Sequence, residues 1–203
     1  MRTIGKFGSR GVRALVVLAV LFALSAAAAP AAARPAAPAL SVTVSMERPT
    51  THYYHVVVRA DGLAGETQDF KLPVWTPGYY QIMDYAKNVK DFRAEDGAGR
   101  PLPWDKTAKN AWRVRTGRAA TAVVSYDVYA FSRFVADSYL SDDGGFICPT
   151  GVFMHVAGRL KDPVVVTVVP AASWRQVSTG LDPVAGRPNA FTRSEERRVG
   201  KEC

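Results

Sequence analysis

The stretch HYYHVVVRA (residues 52–60) decides the fold, because it concentrates β-branched and aromatic residues between turn-forming neighbours. Pro49 precedes this run, and Asp61 and Gly62 follow it. A short run of this kind, without an apolar stripe at helical spacing, predicts a β-strand rather than a helix.

Similar runs recur on both sides of this strand. Residues 40–46 alternate Leu, Val, Val and Met with Ser, Thr and Ser, a pattern typical of a strand with one buried face. Outside the N-terminal segment, no window of helical length carries an apolar stripe. Further strands are predicted around Trp104 and at residues 68–75, 88–95, 111–115, 121–130, 152–157 and 164–169.

These strands predict an all-β domain. Roughly nine strands with short turns favour a two-sheet antiparallel β-sandwich, and a partly open barrel is the alternative. The large residues expected in the core are Phe70, Phe92, Trp104, Trp112 and Phe131.

The N-terminal segment is typical of an export signal. Basic residues precede an apolar run at 14–24, and small residues with several A-x-A choices follow it. Because this run is shorter than the ~20 residues of a membrane-spanning helix, cleavage is favoured over an uncleaved membrane anchor. We expect residues 1–33 to be a signal peptide and Ala/Pro-rich leader. The mature domain would then be secreted or periplasmic, and free of the membrane once the signal is removed.

The last eleven residues, RSEERRVGKEC (193–203), resemble the translation of a sequencing-adapter oligonucleotide. They form a charged run without apolar periodicity, for which a solvated tail or short helix is the alternative. We therefore expect residues 193–203 to be a non-native tail and the folded domain to span residues 40–192.

The net charge of +8 is concentrated at the two ends of the chain. Residues 1–40 hold five basic residues and no acids, and residues 193–203 hold four basic residues and three acids. The remaining 17 basic and 15 acidic residues give the folded part a net charge of only +2. No basic stripe remains that would neutralise phosphates, so we expect no nucleic-acid partner.

The sequence offers little material for a metal site. Its three histidines are His52, His55 and His155, and none is followed by glutamate, so an H-E-x-x-H helix is absent. His52 and His55 fall on one predicted strand at odd spacing, which directs their side chains to opposite faces. We expect structural histidines, and neither a metal nor a cofactor held by this chain.

Nucleophilic chemistry is equally incomplete. There is no G-x-S-x-G elbow, and Ser132, Ser138 and Ser141 have no neighbouring base. Cys148 lies in apolar company and is interpreted as a small buried hydrophobe rather than a reactive thiol. The acids and glycines at residues 142–145 indicate a solvated turn rather than a calcium loop. We expect no catalytic residue in this chain.

The stretch LPVWTPGYYQ (residues 72–81) is the most unusual part of the sequence. Pro73 within a strand-like run indicates an edge or a strand exit, because proline cannot donate a ladder hydrogen bond. Pro77 and Gly78 fit the central pair of a type II turn.

Such a turn would hold Trp75, Tyr79 and Tyr80 on a rigid loop at one end of the sandwich. Two interpretations follow. The aromatic side chains either cap the core beneath the loop, or they form a docking surface for a ligand or a neighbouring domain.

Several segments resemble the N-terminal domain of glycyl aminopeptidase-type zinc metallopeptidases, metallopeptidase family sixty-one. The likeness covers about residues 41–191 in order, and WTPGYY is its most specific piece. The resemblance implies a β-rich first domain, then a zinc-bearing catalytic domain with H-E-x-x-H, then a PDZ domain. The segments are HYYHVVV, LPVWTPGYYQIMDYAKNVKDFRA, VFMHVAG and WRQVSTGL, together with Trp104, Lys106, Asn110 and Trp112.

The resemblance also implies a function. The parent protein would be an exported aminopeptidase in which zinc-activated water removes small N-terminal residues such as glycine. This chain would be its non-catalytic first domain, which docks the missing catalytic domain of the same polypeptide and helps to wall the cleft for the peptide substrate. Trp75, Tyr79, Tyr80 and Gln81 would face that interdomain groove. The alternative function is a free-standing secreted β-sandwich that binds carbohydrate or peptide.

Overall fold

The computed structural model describes residues 39–192. The predicted leader (1–33) and the predicted non-native tail (193–203) lie outside the described residues. Within the described range, no helix combines the length and the apolar character that crossing a membrane would require.

Strands dominate the described range, and helical structure is limited to single turns. The short helices are 3₁₀ turns at Pro49–Thr51 and Tyr85–Asn88 and an α-helical turn, α1, at Pro149–Val152. The strands are β1 (Leu40–Ser45), β2 (Tyr53–Asp61), β3 (Gln68–Lys71), β4 (Val89–Asp96), β5 (Trp104–Ala108), β6 (Ala111–Val114), β7 (Thr121–Tyr129), β8 (Tyr139–Ser141), β9 (Gly144–Phe146), β10 (His155–Val156), β11 (Val164–Val169), β12 (Asp182–Pro183) and β13 (Ala190–Thr192).

These strands form two main sheets and one small hairpin. The large sheet has the order β12-β13-β11-β1-β2-β7-β4, and the small sheet has the order β10-β3-β6-β5. Strands β8 and β9 form a separate two-stranded sheet. Neither main sheet closes on itself within the described range, so the predicted all-β sandwich is confirmed and the barrel alternative is not.

One pairing departs from the antiparallel prediction. Strand β1 runs parallel to β11, with Leu40 opposite Val164 and Ser45 opposite Val169. A parallel pair needs a long connection, and the chain passes through both sheets between these two strands. The alternation of side chains along β1 shows its burial on one face but carries no information about the direction of its neighbours.

The two main sheets pack face to face around one core. Buried side chains alternate along β1, β2 and β7, as the period of two requires. Phe92 on β4 stacks on Trp112 of β6, with ring centroids 5.6 Å apart. Among the described residues, the largest fully buried side chains are Tyr54, Tyr126 and Phe70.

Two of the five expected core residues are exposed. Phe70, Phe92 and Trp112 are buried, but Trp104 is 38% exposed and Phe131 is 50% exposed. Trp104 lies on β5, an edge strand whose five residues are all exposed, and its ring meets the Phe92 ring edge to face at 4.8 Å. Phe131 follows the end of β7 and stacks on His52 at 3.8 Å, outside the sandwich interior.

The predicted strand at 152–157 is wrong for most of its length. A helical turn occupies its start, and only the two residues of β10 pair with β3. The physical reason is that Met154 donates its N–H to the Tyr126 hydroxyl at 2.9 Å, and Phe153 donates its N–H to the Pro149 carbonyl. These bonds replace a sheet ladder.

The large sheet has two ends with different chemistry. Strand β2 begins at Tyr53, β4 begins at Val89 and β7 ends at Tyr129, and we call this side the aromatic end. At the opposite side, the charged end, β2 ends at Asp61 and β4 ends at Asp96. Nine residues of β2 separate the two ends, a span of about 27 Å.

Candidate functional site, an aromatic surface

A closed loop at the aromatic end carries the predicted site residues. It begins where β3 ends, as Pro73 predicts, and its first residue, Leu72, is fully buried. The Leu72 N–H donates to the Asn110 carbonyl, and the Asn110 side-chain amide donates to the Leu72 carbonyl at 2.6 Å. A further bond from the Met83 N–H to the Val74 carbonyl closes the loop at 2.7 Å.

The tip of the loop is the type II turn that the sequence predicts. Gly78 has a φ of +85°, a value that favours glycine. The Tyr79 N–H donates to the Thr76 carbonyl at 3.2 Å, which is the hydrogen bond that closes a β-turn. Pro77 and Gly78 therefore fix the direction in which the loop presents its side chains.

The four predicted site residues lie on this loop and outside the core. Trp75 is 48% exposed and Tyr80 is 91% exposed, and Gln81 is exposed as well. Tyr79 is half-buried, and its hydroxyl donates to the Gln81 Oε1 at 3.1 Å. The structure thus brings the four together on one surface loop, and their role toward a substrate or domain stays a prediction.

A second loop, residues 131–138, contributes apolar residues that the sequence reasoning missed. Phe134 is 43% exposed, and its ring meets the Tyr79 ring edge to face at 5.0 Å. Val135 is 77% exposed, and Ile82 on the first loop is 79% exposed. The sequence signal for this loop is the apolar stretch Phe134 to Ala136 between Arg133 and Asp137. We call the set Trp75, Tyr79, Tyr80, Ile82, Phe134 and Val135 the aromatic surface.

Buried contacts hold the second loop in place beneath the aromatic surface. The hydroxyl of buried Tyr85 donates to the Ala136 carbonyl at 2.8 Å. Burial raises the pKa of Tyr85, which keeps that hydroxyl protonated as a donor. The Cys148 N–H donates to the Ser138 hydroxyl at 2.9 Å, and the Cys148 thiol lies 3.8 Å from the Thr76 hydroxyl of the first loop. The two loops therefore form one supported surface.

Three rings and one guanidinium group pack on one another next to the second loop. His52 stacks on Phe131 at 3.8 Å, and Phe131 stacks on Tyr139 at 5.5 Å. The Arg133 guanidinium covers the outer face of Tyr139 at 4.2 Å. Because these side chains pack on one another, we interpret the stack as a support for the second loop rather than as a ligand site.

Two of the three histidines are bonded to groups of the domain itself. The His52 Nδ1 donates to the Leu140 carbonyl at 2.6 Å, and the His55 Nδ1 lies 2.7 Å from the Asp127 carboxylate. His52 precedes β2 with a φ of +61°, so the prediction that it lies on the strand is wrong. Burial and the neighbouring Lys71 charge lower the pKa of His155, which favours its neutral form.

The described residues do not fit a zinc site. Between residues 39 and 192, no group of three or more His, Cys, Asp and Glu side chains is arranged to hold a metal ion. Ser132 donates to Asp137, Ser141 donates to Asp142, and the Ser138 hydroxyl is buried against the backbone of Cys148. None of these three partners is a histidine, the base that commonly activates a serine nucleophile.

Comparison with solved structures links this fold to peptidases. A crystal structure of an aminopeptidase N family protein from Idiomarina loihiensis has a TM-score of 0.69 at 26% identity and covers 75% of this chain. The chain spans only 26% of that protein's length. A two-domain M1 zinc metallopeptidase mutant bound to L-tryptophan reaches a TM-score of 0.33 at 16% identity, covering 76% of this chain and 38% of that one, and supports no argument. No curated protein matches the chain.

Comparison with known families gives a direct assignment. Residues 41–196 match the family described as the peptidase M61 N-terminal domain. The match spans the whole described sandwich from β1 to β13 and covers more than half of the chain. The chain therefore belongs to the peptidase M61 family and carries its N-terminal domain.

Proposed function

We propose that this domain docks the catalytic domain of the same polypeptide through the aromatic surface, and that it forms one wall of the substrate cleft. The parent protein would be an exported zinc metallo-aminopeptidase that removes small N-terminal residues such as glycine from peptides. The zinc would be held by that catalytic domain, since the described residues of this chain do not fit it.

Family membership and relative length support a partner within the same polypeptide. The matching family is defined as an N-terminal domain, so further sequence follows it in family members. The similar Idiomarina protein is an aminopeptidase N family member of which this chain spans about a quarter. A domain without a catalytic constellation of its own contributes to such a protein by positioning its neighbour.

The observation that carries the proposal is the exposure of large apolar side chains on fixed backbone. Tyr80, Ile82 and Val135 are each more than three-quarters exposed, and Trp75 is about half exposed. Exposing several large apolar side chains on two adjoining loops to water is unfavourable, and groups of this kind mark interaction sites. The hydrogen bonds beneath the two loops fix this surface before any partner arrives, which lowers the entropy cost of docking.

The polar tips on the same surface support a role at the cleft. The Tyr79 hydroxyl and the Gln81 side chain are already hydrogen-bonded to each other at 3.1 Å and remain accessible. Aromatic residues with polar tips suit an interface that is half wet. This pair would contact peptide substrate, while Trp75, Ile82 and Val135 would contact the neighbouring domain.

The test is a double substitution, Tyr79→Ala and Tyr80→Ala, in the full-length parent protein. Sequencing the gene beyond the codon for Thr192 supplies that protein and shows whether an H-E-x-x-H motif follows. We expect KM for a glycyl substrate to rise about tenfold, or the two domains to separate under limited proteolysis. Leu160→Ala is the matched control, because Leu160 is 76% exposed and follows Arg159, which donates to the Asp61 carbonyl at the charged end. Unchanged KM, kcat and Tm in the double variant would refute the proposal.

The exposed indole of Trp75 on a rigid loop also suits a free-standing binding module for carbohydrate or peptide. A direct measurement separates the two functions. If the 203-residue chain alone binds oligosaccharides or peptides, with quenching of tryptophan fluorescence that Trp75→Ala abolishes, the binding module is favoured. An H-E-x-x-H motif in the downstream gene sequence favours the peptidase domain.

A further inference from the structure

A depression at the charged end lies between two turns of the chain. One turn follows β4 and the other connects β6 to β7. The depression has a volume of about 450 Å³, which is within the range of small-molecule sites. Its lining residues are Asp96, Arg100, Pro101, Leu102, Thr116, Arg118 and Ala119.

The single carboxylate in this depression is already satisfied by its own turn. Asp96 is buried and accepts hydrogen bonds from the backbone N–H groups of Ala98 at 2.8 Å and Arg100 at 3.0 Å. The Arg100 Nε donates to the same carboxylate at 2.7 Å. These bonds hold the pKa of Asp96 below its usual range, so the carboxylate stays ionised and keeps Arg100 in place.

Both arginines retain donors that the protein does not use. Only the Nε of Arg100 is bonded to the Asp96 side chain, and the Arg100 side chain is 80% exposed. Arg118 is exposed, and in the described part of the chain its guanidinium has no ion-pair partner. Its turn is nonetheless fixed, since the Gly117 N–H donates to the Glu66 carbonyl at 3.0 Å and the Thr116 hydroxyl donates to the Gly65 carbonyl. Two cations on fixed backbone thus line the depression, and one of them is paired with its buried carboxylate.

We propose that this depression binds a small organic oxyanion, a carboxylate or phosphate group carried on an apolar body. Guanidinium groups bind the two oxygens of such anions through paired N–H donors. The remaining lining of Pro101, Leu102 and Ala119 is apolar, so the body attached to the anion would pack on these side chains.

This site is independent of the proposed function of the aromatic surface. The depression and the aromatic loops lie at opposite ends of β4 and β7, so an anion at the charged end does not compete with docking at the other. Loss of one activity would leave the other measurable.

The test is a titration of the 203-residue chain, labelled with ¹⁵N, with inorganic phosphate, phenyl phosphate and benzoate. The amides of Gly97, Gly99 and Gly117 report on the two turns that frame the depression. We expect saturable shifts at these glycines, with Kd near or below roughly 1 mM for the better phenyl compound. Comparison of phenyl phosphate with benzoate identifies which anion the site prefers, and inorganic phosphate isolates the contribution of the apolar body.

Two variants decide whether the arginine pair is responsible. Arg118→Ala should weaken binding about tenfold or more, because a charge-assisted hydrogen-bond pair is lost. Arg93→Ala removes the same charge from an exposed position outside the depression and should leave Kd unchanged. The proposal is overturned if none of the three probes binds at roughly 10 mM, or if Arg118→Ala binds as tightly as wild type. Equal weakening by both variants would also overturn it, because it would show a nonspecific charge effect.

Discussion

The two ends of the large sheet differ in chemistry. Polar groups that bond to one another are prominent at the charged end, whereas exposed apolar side chains are prominent at the aromatic end. At the charged end, Asp61 accepts hydrogen bonds from the Arg59 guanidinium at 2.9 Å and the Thr121 hydroxyl at 2.6 Å. Arg159 lies nearby, with one nitrogen on the Asp61 carbonyl and another on Asp162. At the aromatic end, by contrast, Tyr80 and its apolar neighbours project into solvent.

We interpret the hydrogen-bonded groups at the charged end as stabilising the domain, and the exposed side chains at the aromatic end as contacting a partner. Two hydrogen bonds at the charged end, from the Thr121 hydroxyl to the Asp61 carboxylate and from Arg159 to the Asp61 carbonyl, join distant segments of the same domain, so folding alone accounts for them. Leu72 and Tyr85 already cover the core beneath these loops, so the side chains of the aromatic surface are not needed to shield it from water. An exposed apolar surface that the fold does not need is best explained by what it contacts.

The first test has the largest expected effect and compares a buried tyrosine with an exposed one. Tyr126 is fully buried beneath the sheet, and its hydroxyl donates to the Val152 carbonyl at 3.0 Å. Tyr126→Ala should lower the free energy of unfolding by about 3–5 kcal/mol, because it leaves a cavity and unpaired backbone groups. Tyr80→Ala should change it by less than about 0.5 kcal/mol. Urea denaturation followed by circular dichroism measures both, and a destabilisation of Tyr80→Ala comparable to that of Tyr126→Ala would contradict this interpretation.

The second test concerns the hairpin that supports the aromatic end. A Cβ on Gly145 would lie 2.6 Å from the Tyr54 hydroxyl and 3.1 Å from the Trp174 ring, whereas a Cβ on Gly144 would meet nothing within 4 Å. Gly145→Ala should therefore cost about 1–3 kcal/mol. Gly144→Ala is the matched control and should be nearly neutral. Equal Tm values for the two variants would show that the hairpin does not pack as described.

The third test uses acid to weaken the charged end. Burial acts to raise the pKa of Asp61, but hydrogen bonds from Arg59 and Thr121 outweigh it, and the pKa is lowered overall. A carboxyl with a lowered folded-state pKa stabilises the fold above its unfolded pKa of about 3.9, and this contribution is lost as pH falls through the folded value. As the pH is lowered below about 4, we expect the urea concentration at the unfolding midpoint to decrease. This decrease should be smaller in Asp61→Asn than in the wild type. If the urea midpoint depends on pH identically in the variant and the wild type, Asp61 does not contribute to the acid sensitivity of the fold.

The smallest expected effect is weak association of the isolated chain. Five of the six side chains of the aromatic surface are exposed, and exposed apolar surfaces promote association. We expect analytical ultracentrifugation to show concentration-dependent association that Val135→Lys reduces, while Leu160→Lys at the charged end does not. A chain that stays monomeric at every concentration tested would weaken the case for an uncovered docking surface.

The sequence predicted those parts of the fold that depend on local alternation. Strands β1, β2, β7 and β11 follow directly from runs of alternating or β-branched residues. It did not predict β8 and β9, because three-residue strands built partly from glycine carry no periodic signal. It also placed Phe131 in the core, since composition alone cannot show that the strand before it ends at Tyr129.

The candidate site shows the same limit. The turn at Pro77 and Gly78 was predictable because these two adjacent residues determine its geometry locally. The contact of Tyr79 with Phe134 was not, because it joins loops that are distant in sequence and meet only through tertiary packing.

The parallel pairing of β1 with β11 has a consequence for synthesis and for damage to the chain. Six residues from Leu40 to Ser45 stay without one of their two neighbours until Val164–Val169 has left the ribosome. Such long-range pairing slows folding, and an open strand edge invites pairing with other chains. Truncated or proteolysed molecules that end before Val164 would expose that edge, and they should be found in aggregates rather than as smaller native domains.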